Sequence, residues 1–174
     1  MPHFDIVKTN NIKTKSFRVA QLYDQFDIQE NTFDEHFTGD IELPNEWNIG
    51  IIVGKSGTGK TTIVQSIFSE GISSFEYNNN SVIDDFDKSI SSKKLFSVLS
   101  SVGFNSPVSW LKPYKVLSNG EKMRIDLAMA ILQDKEIIVF DEYTSVVDRE
   151  IAKIGSLSVA KAIRKEGKKF TAVS

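Results

Sequence analysis

From Trp47 onward, short apolar runs of strand length take turns with stretches whose apolar residues recur every three or four positions. Residues 47–53, with Ile49, Ile51, Ile52 and Val53, read as a buried strand. A helix is expected from Lys60 to about Glu70, ending near Gly71. Residues 73–81 carry Asn78-Asn79-Asn80 and have loop composition. Residues 92–102 read as an amphipathic helix with Leu95, Phe96, Val98, Leu99 and Val102 on its apolar face. Pro107 and Pro113 bracket Trp110-Leu111, which is expected to be irregular. A strong helix over 119–132 precedes an apolar strand over 136–140. A further helix over 149–165 ends at Gly167, and residues 170–173 begin a last strand. Strand and helix in repeated alternation predict an α/β fold, a mostly parallel sheet with covering helices.

Before Trp47 the pattern is weaker. Residues 1–15 predict an extended arm or a weak edge strand, and residues 16–22 alternate well enough for a strand with Phe17 and Val19 on one face. Tyr23, Phe26, Phe33 and Phe37 follow among acids and amides, and 38–43 reads as a strand closed by the Pro44-Asn45 turn signal.

The chemistry centres on Gly54-Lys55-Ser56-Gly57-Thr58-Gly59-Lys60-Thr61-Thr62, set between an apolar strand and a helix. Gly54-x4-Gly59-Lys60-Thr61 fits the Walker A pattern of a phosphate-binding P-loop at every fixed position. Glycines let the backbone turn tightly and aim its N–H groups at phosphates, and the helix start adds its positive dipole end. Lys60 supplies a mobile cation for the β- and γ-phosphates, and Thr61 a hydroxyl for Mg2+. The second site is Asp141-Glu142, at the end of Ile137-Ile138-Val139-Phe140. A carboxylate there lies at the edge where a P-loop also lies, so Asp141 suits the Mg2+ shell and Glu142 the attacking water.

Composition narrows the classes. A chain of 174 residues, 40% hydrophobic and 25% charged, is globular and of single-domain size. The net charge of -2 gives no bulk electrostatic case for nucleic acid. The absence of cysteine excludes disulfides and cysteine metal sites and suits a reducing, cytoplasmic setting. No apolar stretch approaches the ~20 residues of a membrane helix.

A third stretch, Leu117-Ser118-Asn119-Gly120-Glu121, stands just before the acidic strand. It resembles the LSGGQ signature of ATP-binding-cassette (ABC) ATPases, with Asn119 for the first signature glycine and Glu121 for the glutamine. Ser118 followed by Glu121 also reads as a capping box on a structural helix. Thr144-Ser145-Val146-Val147-Asp148, after the acidic strand, resembles the family's D-loop, with Asp148 at the acidic position. With the two Walker motifs, the resemblance covers roughly 16–174.

The resemblance implies an ATPase that pairs head to tail, Ser118 and Gly120 binding the γ-phosphate held on the partner's P-loop. It implies an aromatic side chain stacked on adenine from a loop between the first strands. Phe26 is the first candidate and Phe33 the second, and either could equally be an ordinary hydrophobic contact. It further implies one domain over 1–174, with N-terminal β strands and a reduced helical region over about 72–118. Three departures stand out. No glutamine occurs between Gln65 and Gln133 to serve as the Q-loop residue, where Asp84 or Asp85 stands near the place. Lys60 and Ser118 are closer in sequence than in a transporter cassette. The family's switch histidine follows a strand that here ends at Ser174, and His3 and His36 lie too early to serve. The expectation is a domain truncated at that point that binds Mg-ATP and hydrolyses it poorly. The short spacing and missing glutamine favour a soluble process. The alternatives are a transporter's nucleotide-binding subunit and an ATP-gated interaction module with little turnover.

Overall fold

The computed structural model describes residues 3–11, 16–28, 32–72, 74–143 and 149–174. The chain divides into two compact units, residues 1–43 and 44–174. In the first, β1 (His3–Asn11) and β2 (Thr32–Asp40) pair antiparallel, His3 opposite Asp40 and Asn11 opposite Thr32. Of the stretch 1–15, expected as an extended arm or a weak edge strand, the described residues 3–11 form the strand, and the strand expected over 38–43 begins earlier and stops at Asp40. Both histidines pair with aspartates of the facing strand, His3 with Asp40 and His36 with Asp5.

Between these strands lies α1 (Phe17–Phe26), where alternation predicts a strand over 16–22. The helix forms because the wider window has the other period. Val19, Leu22, Tyr23 and Phe26 fall on one side of a 3.6-residue turn, a pattern that the Phe17/Val19 alternation masks. Ser16 caps it, its hydroxyl accepting from the N–H of Val19 at 3.3 Å.

The second unit holds β3 (Ile49–Ile52), α2 (Lys60–Ile67), α3 (Ser92–Ser101), α4 (Pro107–Trp110), α5 (Asn119–Leu132), β4 (Ile137–Phe140), α6 (Arg149–Glu166) and β5 (Lys169–Val173). The strands form a parallel sheet in the order β3-β5-β4, so the last strand inserts between the first two. Ile72 adds a parallel bridge to Val139 on the far side of β4. One sheet face packs Val139 and Val173 against Val64 and Phe68, on and just after α2. The other packs Ile138, Phe170 and Ala172 into the larger core, with Leu99, Ile125 and Ile163 from α3, α5 and α6.

The apolar run of β3 reads as buried, yet Ile51 is 66% exposed and Val53, just past the strand, 73%. Strand order is the cause, since β3 lies at an edge of the described sheet with only β5 beside it. The segment between Pro107 and Pro113 is less irregular than its prolines suggest. Pro107 takes the first position of α4, where its missing N–H is harmless, and the Ser106 hydroxyl caps the turn. Trp110 thus ends a helical turn, and its indole N–H donates to the carbonyl of Phe104 at 2.9 Å.

Candidate nucleotide site

The loop after β3 is shaped by its glycines. Gly57 (φ 80°) and Gly59 (φ 76°) are left-handed, a region that side chains disfavour. The Thr58 hydroxyl donates to the carbonyl of Lys55 at 2.8 Å, closing the turn, and α2 begins at Lys60 directly after Gly59. The Lys60 ammonium folds back over the loop and donates to the carbonyls of Gly54 at 2.8 Å and Lys55 at 2.9 Å. A Cβ on Gly54 would lie 3.1 Å from the Thr58 hydroxyl and 3.4 Å from Cδ of Lys60, so the bare backbone leaves that lysine its path. Lys55, Ser56, Gly57, Thr58 and Thr61 are exposed, and Thr62 is half-buried.

Sheet register brings the acidic pair to the same edge. Ile51, Ala172 and Phe140 lie at one level across β3, β5 and β4. The P-loop and Asp141 therefore leave the sheet side by side, with one strand between them and about 10 Å of lateral separation. Asp141 Oδ1 accepts from the N–H of Glu142 at 2.9 Å. Glu142 has φ 50°, a left-handed angle uncommon for a side-chain-bearing residue and one that clusters at functional sites. The chain turns back at once, the N–H of Tyr143 donating to Val173 at 2.9 Å. Half-buried Asp141 and exposed Glu142 are thus held at the sheet edge. The Thr61 hydroxyl and the Asp141 carboxylate are both hard oxygen donors, the set that Mg2+ takes with phosphates and water.

Ser118 caps α5, and both halves of the capping box are formed. The Ser118 N–H donates to Glu121 Oε2 at 2.9 Å, and the Glu121 N–H to the Ser118 hydroxyl at 3.4 Å. Hydrogen bonds from the Ser109 hydroxyl and the Ser118 N–H hold the Glu121 carboxyl below its ordinary range. Ser118 remains exposed, with Gly120 in the first turn behind it.

The remaining expected site residues belong to the N-terminal unit, to another loop or to the stretch outside the described residues. Phe26 ends α1 in the N-terminal unit and is 64% exposed, on a helix rather than a loop. Phe33 belongs to β2. Asp148, with the stretch 144–147, lies outside the described residues. Asp85 organises a loop, its Oδ1 accepting from the N–H groups of Asn78 and Asn79, each at 3.0 Å.

One group escaped sequence reasoning. Asp126, half-buried on α5, accepts from the hydroxyls of Tyr77 at 2.5 Å and Tyr114 at 2.9 Å. The signal was an acid between Ile125 and Leu127, where the helix turns apolar through to Leu132 and an unpartnered carboxylate is costly.

The sheet and its P-loop edge define a P-loop NTPase. A family described as "ATPase family associated with various cellular activities (AAA)" matches residues 51–166, and the chain belongs to it. Its relatives are ABC proteins, and the domain is of the ABC ATPase type. An uncharacterised ABC transporter ATP-binding protein of Haemophilus influenzae is 29% identical over 61% of this chain and 55% of its own length. ABC transporter ATM1 of Plasmodium falciparum is 30% identical over 78% of this chain and 16% of its own. The chain thus spans about half the length of the first relative and far less of the second. Among solved structures, a Pyrococcus furiosus protein described as an ABC transporter (ATP-binding protein) superposes with a TM-score of 0.58 at 20% identity, covering 72% of this chain and 77% of that one. The archaeal ribosome recycling factor aABCE1, in complex with stalk protein aP1, gives 0.57 at 22% identity, over 72% and 28%. At these identities the likeness is one of fold. Among the described residues, no helix is long and apolar enough to cross a membrane.

Proposed function

We propose that this chain is an Mg-ATP-binding and ATP-hydrolysing domain that acts as a head-to-tail pair. The observation that carries the reading is the Lys60 ammonium, held over the glycine loop on the carbonyls of Gly54 and Lys55 at the edge where Asp141 and Glu142 emerge. The backbone from Gly54 to Thr62, including Lys55, Ser56, Gly57, Thr58 and Gly59, cradles the phosphates. Lys60 exchanges its carbonyl partners for phosphate oxygens. Thr61 and Asp141 would hold Mg2+, which supplies charge neutralisation on the transferring phosphoryl group. Glu142 accepts a hydrogen bond from the attacking water and orients it in line.

Ser118 and Gly120 act on the nucleotide of the partner, from a helix N-terminus whose dipole favours an anion. The Ser118 hydroxyl donates to Glu121 Oε2 at 2.9 Å within the capping box, and in this role it exchanges that partner for a phosphate oxygen. Phe26 is proposed to stack on adenine and Asp148 to line the paired interface. Both units are assigned to one ABC-type domain over 1–174, with 72–118 as its reduced helical region. Among its described residues that region holds α3 and α4 as its α-helices, both short, which supports a soluble, cytoplasmic process over a transporter's subunit.

The test is phosphate release from Mg-ATP by the wild type and by Glu142→Gln. Removing the orienting carboxylate should cut the rate by about a hundredfold or more while ATP remains bound. An equal rate in the variant would remove Glu142 from the role.

A further inference from the structure

The Asp126 carboxylate uses both its oxygens on tyrosines that come from different parts of the chain. Oδ1 takes the hydroxyl of Tyr77, and Oδ2 that of Tyr114. The two rings stack face to face, with centroids 3.8 Å apart and planes within 4° of each other. Lys122, one turn before Asp126 on α5, sits 5.5 Å from the centre of the Tyr114 ring. Burial pushes the Asp126 carboxyl above its ordinary range, and the two tyrosine hydrogen bonds oppose that shift. Burial and the adjacent carboxylate push both tyrosines up, so their hydroxyls stay protonated as donors.

What these partners join matters more than their strength. Ile72 bridges Val139 in parallel, two residues before Asp141 in sequence. Tyr77 lies five residues after Ile72, and the Asn78-Asn79 turn behind it is fixed by Asp85. Tyr114 lies just ahead of the Ser118 cap. Asp126 itself is eight residues into the helix from Ser118, about 12 Å along its axis. Beside the apolar packing of α5 on the sheet, Asp126 is thus a polar junction between the segment that carries Tyr77 and the turn that leads into Ser118.

We propose that Asp126, through Tyr77 and Tyr114, is the positioning residue that sets the signature helix α5 against the nucleotide edge of the sheet. This stands where a Q-loop glutamine is absent, and it rests on the reading that Ser118 acts on a partner's nucleotide. Tyr77 transmits any displacement of residues 74–79 to α5. Its stacked ring fixes direction, while its hydroxyl fixes distance.

Tyr77→Phe is the discriminating variant, because it keeps the stack on Tyr114 and removes only the hydroxyl. Two measurements on the full chain test it. Amide hydrogen exchange without nucleotide should show faster exchange over 118–124 in the variant, with melting temperature near that of the wild type. Calorimetry and turnover with Mg-ATP should show ATP affinity within about twofold of wild type and turnover reduced on the order of ten- to a hundredfold, as small displacements of catalytic groups cost. Unchanged exchange over 118–124 would overturn the proposal, as would affinity and turnover falling together in step with melting temperature. If wild type itself neither binds nor hydrolyses ATP, the functional reading fails, while the exchange measurement still decides whether Tyr77 positions α5.

Discussion

The ammonium of Lys60 lies 2.8 Å from the carbonyl oxygen of Gly54, the residue that opens the loop which Lys60 closes. The contact holds a long, flexible side chain in place before any phosphate arrives, which lowers the ordering cost of binding. It also depends on Gly54 having no side chain. Gly54→Ala places a methyl 3.1 Å from the Thr58 hydroxyl and 3.4 Å from Cδ of Lys60. Mg-ATP affinity should fall while the melting temperature barely moves. Titration of both proteins checks it, and equal affinities would show that Lys60 reaches phosphate by another path.

Gly71→Ala should act on the fold instead. Its Cβ would meet Val139 Cγ2 at 2.9 Å and the carbonyl of Ile137 at 3.0 Å, and a backbone carbonyl in β4 cannot give way. Overpacking of this kind costs about 1–3 kcal/mol. Urea unfolding of the variant should show that loss.

Ser118→Arg separates the cap from the proposed function. Losing the cap should cost about 1 kcal/mol of stability. ATP affinity of the monomer should stay the same, since the P-loop is untouched, whereas pairing driven by ATP should be lost. Light scattering of Ser118→Arg combined with Glu142→Gln, with and without Mg-ATP, reads this directly. Normal pairing would leave Ser118 as a structural cap alone.

Asp126 gives a pH dependence of definite sign. Burial raises its carboxyl above the ordinary 3.8, so folding favours the protonated form. Its contribution is full below the ordinary value and is lost as pH rises through the raised one. The stability of wild type relative to Asp126→Asn should therefore decline from about pH 3.5 toward neutrality, as urea midpoints at successive pH values would record. A relative stability that rose with pH would mean that the two tyrosine hydrogen bonds outweigh burial.

How much of this was legible depended on the range of the interactions. The P-loop, the acidic strand end and the Ser118–Glu121 capping box are local patterns, and sequence spacing alone defines them. The helix Asn119–Leu132 and the strand Ile137–Phe140 are equally local. Exposure of Ile51 was hidden, because which strand is an edge follows from β5 inserting between β3 and β4. In α1, two residues of alternation outweighed a helical stripe that needed ten residues to show. Tyr77 and Asp126 are joined across 49 residues, and nothing near either names the other.

The central claim is that the glycine loop and Lys60 bind the phosphates of ATP. Calorimetric titration of Mg-ATP into the wild-type chain and into Lys60→Ala tests it most directly. The account predicts a saturable isotherm for wild type and its loss in Lys60→Ala, with the sheet and melting temperature retained. Unchanged affinity in a folded Lys60→Ala protein would contradict it.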